Sequence, residues 1–342
     1  MVIALWILSA AVVLVSAGVL YQKFGSRRDR RLYTSLGRWL TVGKGCDLYL
    51  FEQGSGEPTV LFEAGIGATH LNWRHVQSEV ARFARTVSYD RGGLGWSGRN
   101  RTARTPGNIA TELHEMLSRG GLNPPYILVG HSFGGLVMRR FALSHPDEVA
   151  SLVLVDPMRC EEWPPLNPGQ QAAVDRGNRL STFAIPIARV GVARLAMTSL
   201  FCRSGRLSRW LEGASGNGAQ HVLGRVRQEI GKMPREVWPI VAAHWSRPAF
   251  YAGMRQHVRS VPDSVREMVK ADPIRFIPVL VLTPDKSTPL SEECLRQIGE
   301  NVRQAIVPQS GHWIHLDQPD RVIDSIRAVV ESACSQPVHV LR

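Results

Sequence analysis

The chain has 342 residues, 44% apolar and 20% charged, a composition that excludes general disorder and a length that allows a large core. Its formal net charge is +12, yet the arginines are dispersed and no helix-turn-helix or aromatic-basic RNA signature accompanies them, which argues against nucleic acid as a partner. Five cysteines (Cys46, Cys160, Cys202, Cys294 and Cys334) form no CxxC pair and no His/Cys cluster, so they read as free thiols in a reducing compartment with no structural metal.

The run VIALWILSAAVVLVSAGVLY carries no charge from Val2 to Tyr21, enough helix to cross a hydrocarbon core about 30 Å thick. The alternative is a cleaved signal peptide for export, since VSA at 15–17 resembles a cleavage site. Against it, no basic segment precedes the run, which also exceeds the roughly 7–15 apolar residues of a signal. Lys23, Arg27, Arg28, Arg30 and Arg31 follow at once. Basic residues beside a span stay on the cytoplasmic side, so the reading is an anchor at 1–21, a basic linker at 22–36 and a body in the cytoplasm. An anionic leaflet facing this flank accounts for the positive charge, with the membrane as partner.

Next, GRWLTVGKGCDLYLFEQGSG (37–56) reads as two strands joined by a glycine turn. Alternation then sets in: strand 58–65, helix 71–84, strand 86–93, helix 108–121, strand 126–132, helix 133–146 and strand 149–157. These strands are apolar throughout, as parallel strands covered on both faces are. Strand patterns then stop until 276–285, which is followed by a helix near SEECLRQIGE, a strand at 302–311 and a helix at 320–332. The pattern predicts an α/β fold with a doubly wound, mostly parallel sheet built from 37–156 and 273–342 and interrupted by an inserted helical cap at 157–272. The cap carries Trp163, Trp210, Trp238 and Trp245, each either cap core or pocket lining, and 17 basic against 9 acidic residues.

Chemistry concentrates in Gly130-His131-Ser132-Phe133-Gly134, a G-x-S-x-G pattern placed after a strand and before a helix. Small neighbours let the backbone turn sharply and lift the serine Oγ above the carboxyl edge of the sheet. Without that context, glycine-serine-glycine is an ordinary loop or helix cap.

With its neighbours, the motif resembles the α/β-hydrolase family, serine esterase or lipase-like with a helical cap, over about residues 40–332. FEAGIGA (62–68), SYDRGGLGWSG (88–98), VGHSFGG (129–135), LVLVDP (152–157), PVLVLT (278–283) and GHWIH (311–315) occur in family order. The resemblance implies that Ser132 is a nucleophile and that His312, after the last strand, is its base. His315 and His131 are read as structural. The common position of the triad acid holds Ser287, which cannot carry the charge. Two repairs remain: Asp156, at the end of the strand after the elbow helix, and Asp285, two residues before Ser287. Asp156 is the preferred acid and Asp285 the alternative. The resemblance also assigns the oxyanion hole to the backbone N–H groups of Ile66 and Phe133, each worth roughly 3–4 kcal/mol in such sites. Asp90 and Arg91 are read as braces for that loop.

The expected function is that of a serine hydrolase, of carboxylesterase or lipase type. It would cleave small-molecule or lipid-like esters with an apolar acyl group through an acyl-enzyme, without cofactor or metal. Epoxide hydrolases and dehalogenases of this fold use an aspartate where Ser132 stands. An aminopeptidase, for which Glu161 and Glu162 would have to hold the amine, a C–C hydrolase and a perhydrolase are the enzymatic alternatives. A catalytically silent, membrane-anchored binding protein is the non-enzymatic one. No feature of the sequence sets the oligomeric state.

Overall fold

The computed structural model of the chain describes residues 1–159, 166–201, 228 and 230–335. Cys160, Glu161, Glu162, Trp163, Cys202 and Trp210 lie outside the described residues. Cys46, Cys294 and Cys334 are free thiols.

Eight strands form one sheet. They are β1 (Arg38–Val42), β2 (Cys46–Gln53), β3 (Thr59–Glu63), β4 (Thr86–Tyr89), β5 (Tyr126–His131), β6 (Val149–Val155), β7 (Val279–Pro284) and β8 (Val302–Val307). Their order is β1-β2-β4-β3-β5-β6-β7-β8. Strand β2 runs antiparallel to both neighbours, and every later pairing is parallel. The β1–β2 hairpin turns on Gly43 (φ 53°) and Gly45 (φ 90°), conformations that glycine adopts without strain.

On the sheet, α2 (Arg74–Val80), α3 (Pro106–Gly120), α4 (Phe133–Ser144) and α11 (Pro319–Ser335) follow the expected alternation. The helix expected at 71–84 enters through a 3₁₀ turn, His70–Trp73. Side chains alternate along a strand, so Leu128 and Leu152 face Leu113, Met116 and Phe141 on one side of the sheet. Ile127, Val129 and Val153 face Val76, Ile323 and Ile326 on the other. Two apolar layers explain why the central strands are apolar at every position. Each fully buried Val, Leu or Ile contributes about 1.5–3 kcal/mol. Strand β8 is one edge of the sheet, and only Val307 in it is buried.

The described part of the cap is helical, with α5 (Pro168–Arg189), α6 (Val192–Phe201), α7 (Trp238–Trp245) and α8 (Pro248–Val269). Two hydrogen bonds tie α8 to the body: Arg104 N–H to Ser260 Oγ (2.9 Å) and Gln256 Nε2 to the Thr102 carbonyl (2.8 Å). Short helices α9 (Glu292–Ile298) and α10 (Ile314–Asp317) complete the body.

Helix α1 (Val2–Tyr33) is long and apolar enough to cross a membrane. Residues 22–33, expected within a basic linker, continue that same helix. On α6, Arg194 donates to Asp29 Oδ2 (2.6 Å) and to Gln22 Oε1 (2.9 Å), so the cap rests on the helical extension of α1.

Candidate active site

Between β5 and α4 stands Ser132, with φ 53° and ψ −119°. A non-glycine residue in such a region stores on the order of 1–3 kcal/mol of strain, which the surrounding fold must impose. Two close approaches impose it. A Cβ on Gly130 would lie 2.7 Å from the Gly134 carbonyl oxygen, and one on Gly134 would lie 2.5 Å from the Glu63 carbonyl oxygen. Neither position has room for a side chain, which is the physical content of the glycine spacing. The Ser132 carbonyl accepts from Gly135 N–H and Met158 N–H, and its N–H donates to the Val155 carbonyl (3.1 Å), locking the turn onto β6.

Strand β6 lies beside β5, with His131 opposite Val155, so the residue after each strand reaches the same edge. Asp156 bends away there at φ 39°, its N–H donating to the Leu282 carbonyl (2.8 Å). His312, in the loop between β8 and α10, places Nδ1 2.7 Å from Asp156 Oδ2. The Asp156 side chain is 14% exposed and that of His312 51%. Nδ1 thus meets the carboxylate, while Nε2 of His312 and Oγ of Ser132 have no protein partner among the described residues.

His131 fixes the backbone of that loop. Its Nε2 faces the His312 carbonyl at 2.8 Å, and a carbonyl can only accept, so Nε2 carries the proton. Burial, reinforced by His315 and His312, holds the His131 pKa well below the usual imidazole value. His315 is buried too, stacked on Trp73 with centroids 4.3 Å apart, and burial pulls its pKa down to about 3. Both histidines are neutral parts of the scaffold.

Asp285 is engaged elsewhere. Its Oδ2 accepts from Gln309 N–H (2.7 Å) and its Oδ1 from Ser310 N–H (3.2 Å). The Gln309 N–H, with smaller help from Ser310 and Lys286, lowers the Asp285 pKa. Asp285 therefore fastens the turn that leads into His312, and of the two aspartates the structure brings Asp156 to the ring.

The loop after β3 lies against the elbow. A Cβ built on Gly65 would stand 2.9 Å from His131 Nδ1 and 3.5 Å from Ser132 Cβ. The N–H groups of Ile66 and Phe133 find no acceptor among the described residues. Arg91 braces this loop, donating from Nη1 to the Ala64 carbonyl (3.2 Å) and from Nη2 to that of Gly65 (2.5 Å). Asp90 accepts from His70 N–H (3.0 Å) and Trp96 N–H (2.8 Å), tying the 3₁₀ turn after this loop to the turn after β4. Glu63, which sequence reasoning did not single out, lies 3.5 Å from Arg91 and accepts from the Tyr89 hydroxyl. Burial pushes its carboxyl pKa up, against the pull of Arg91. The signal was there: an acid inside the run TVLFE has to be paired.

A cavity of about 270 Å³ opens between this loop and the cap, its walls including Ile66, Met233, Trp245, Phe250, Met254 and Trp313. Trp245 is thus pocket lining. Trp238 belongs to the cap packing, with its Nε1 donating to the Met233 carbonyl (3.1 Å). His114, His145 and Glu148 offer ligand atoms within 4.8 Å of one another. However, the two rings stack at 3.8 Å with planes 7° apart, so their lone pairs lie in near-parallel planes, and His114 Nε2 already faces Glu148 Oε1 at 3.0 Å. This group sits at the far end of α4, about 18 Å from Ser132 by helix length.

The sequence profile described as "Alpha/beta hydrolase family" matches residues 60–325. The putative carbamate hydrolase RutD of Azorhizobium caulinodans is 32% identical over 114 residues, 33% of this chain and 42% of that protein. The chain spans less than half the length of the curated relatives it matches. Among solved structures, a putative epoxide hydrolase from Pseudomonas aeruginosa superposes with a TM-score of 0.63 at 20% identity, covering 87% of this chain and 97% of that one. A thermophilic esterase from Thermogutta terrifontis gives 0.58 at 22% identity, covering 87% and 98%. At these identities the structural likeness carries the fold, and the profile carries the family. The chain belongs to the alpha/beta hydrolase family.

Proposed function

We propose that the protein is a serine hydrolase that cleaves carboxylic esters with an apolar acyl group through an acyl-enzyme. The observation that carries this reading is the 2.7 Å contact between His312 and Asp156 at the sheet edge where the strained Ser132 stands. Ser132 Oγ attacks the ester carbonyl and passes its proton to His312 Nε2, while Asp156 holds Nδ1–H and stabilises the imidazolium. The oxyanion is received by Ile66 N–H and Phe133 N–H. Collapse expels the alcohol, which takes the proton from His312. Water then repeats the sequence on the acyl-Ser132 bond and releases the acid. Apo geometry in such sites is loose, and the Ser132–His312 hydrogen bond forms in the complex.

Apolar cavity walls beside Ile66 support an apolar acyl group. The similar proteins include a putative carbamate hydrolase, and the structural neighbours an esterase and a putative epoxide hydrolase. Serine at the elbow, in place of the aspartate that epoxide hydrolases of this fold use, supports the esterase reading. In this proposal α1 anchors the enzyme, the body lies on the cytoplasmic side of its basic flank, and a membrane, not a nucleic acid, is its large partner.

A series of p-nitrophenyl esters of increasing acyl length tests the reaction class. Turnover is expected to rise from acetyl to medium chains as the cavity fills and to fall for chains that outgrow it. Absence of hydrolysis across the whole series would sink the proposal.

A further inference from the structure

Among the described residues, the cap carries large apolar side chains that are left exposed. On α5, Leu180, Phe183 and Ile187 are 64%, 69% and 47% exposed; on α6, Val192 and Leu195 are 53% and 48% exposed. The spacing of 180, 183 and 187 puts the three on one face of α5, and that of 192 and 195 puts the pair on one face of α6. Another side of α5 is occupied: Ser181 and Ala188 are buried, and at its margin Gly177 packs against Val258 of α8. The two helices meet at an elbow bent by 94°. Large apolar side chains exposed on two consecutive helices call for a partner.

Contact with α1 identifies the partner. A Cβ on Gly18 would lie 2.2 Å from the Val190 carbonyl oxygen, and one on Gly191 would lie 2.8 Å from the Gly18 carbonyl oxygen. Two glycines thus let the elbow touch α1 backbone to backbone. Gly18 belongs to the uncharged run Val2–Tyr21, and the first charge after it, Lys23, comes five residues later, about 7.5 Å further along the axis. Where α1 enters a bilayer, the elbow is carried in with it, below the level of the first charge. The buried polar group nearby is neutralised inside the protein, since Arg194 donates to Asp29 and to Gln22. Arg176, Arg179 and Arg189 are exposed and long enough to reach lipid headgroups.

The geometry points to the α5–α6 elbow as a second membrane contact, an interfacial wedge of Leu180, Phe183, Ile187, Val192 and Leu195 seated in the bilayer beside α1. A helix pair of this kind, with one apolar face and the other packed on protein, lies in the interface and does not span it. Because α5 packs on α8, and α8 supplies Phe250 and Met254 to the cavity, the wedge sets the cavity wall on the membrane surface. Esters dissolved in the bilayer are then the substrates within reach. This inference rests on the reading of α1 as a membrane anchor.

Photo-crosslinking of the full-length chain in vesicles of phosphatidylcholine and phosphatidylglycerol tests it. Benzoylphenylalanine replaces in turn Trp6 in α1, Phe183 and Leu195 on the wedge, and Phe276. The last is 85% exposed and precedes β7, at the end of the sheet away from the cap. After irradiation, phospholipid adducts are expected by mass spectrometry at positions 6, 183 and 195 and not at 276. Lipid adducts at 6 with none at 183 and 195, or with a covalent dimer formed at 183 and 195, would overturn the wedge and leave the anchor standing. Absence of a lipid adduct at position 6 would remove the anchor, and the wedge with it.

Discussion

Ser132→Ala is expected to lower kcat for ester hydrolysis by roughly 10⁴-fold or more, leaving a residue of activity from the oxyanion donors and substrate binding. The fold has no reason to change. Alanine keeps the Cβ, and the φ of 53° is imposed by neighbours in which Gly130 and Gly134 leave no space for relaxation. Thermal unfolding should therefore match that of the parent chain while activity disappears. Loss of both together would assign Ser132 to scaffolding. Retention of both would remove it from the chemistry.

The second large effect separates two aspartates that the sequence left side by side. Asp156→Asn is expected to lower kcat by about 10⁴-fold, because an amide facing Nδ1 can fix the wrong tautomer of His312 and cannot stabilise the imidazolium. Asp285→Asn should keep activity within about tenfold of the parent, since one amide oxygen can still accept one of the two N–H groups that the carboxylate now receives. The loop carrying His312 should loosen, seen as faster amide exchange at Gln309 and Ser310. The reverse order of effects would move the acid to Asp285.

Legibility from the sequence followed the range of the interaction. The β5–elbow–α4 unit was readable because an apolar run, two glycines and a serine act within a few residues of one another. The sheet was readable because strands covered on both faces must be apolar at every position. The choice of acid needed a long-range fact. Asp156 and Asp285 are both aspartates at strand ends, and what divides them is the turn at Gln309–Ser310, which occupies one of the two carboxylates. Glu63 escaped notice because its partners, Tyr89 and Arg91, lie on and just beyond a neighbouring strand. The continuation of α1 past its charges was hidden for a similar reason. Its support is Arg194, far away in the cap, and no local pattern near residue 29 announces that partner.

The central claim is that a covalent ester forms on Ser132. Acid quenching during turnover of a slowly deacylating ester, followed by peptide mapping, tests it directly. The expected result is the mass of the acyl group on the peptide containing Ser132, absent in Ser132→Ala. An acyl group on another residue, or turnover with no covalent species in the quenched protein, would contradict it.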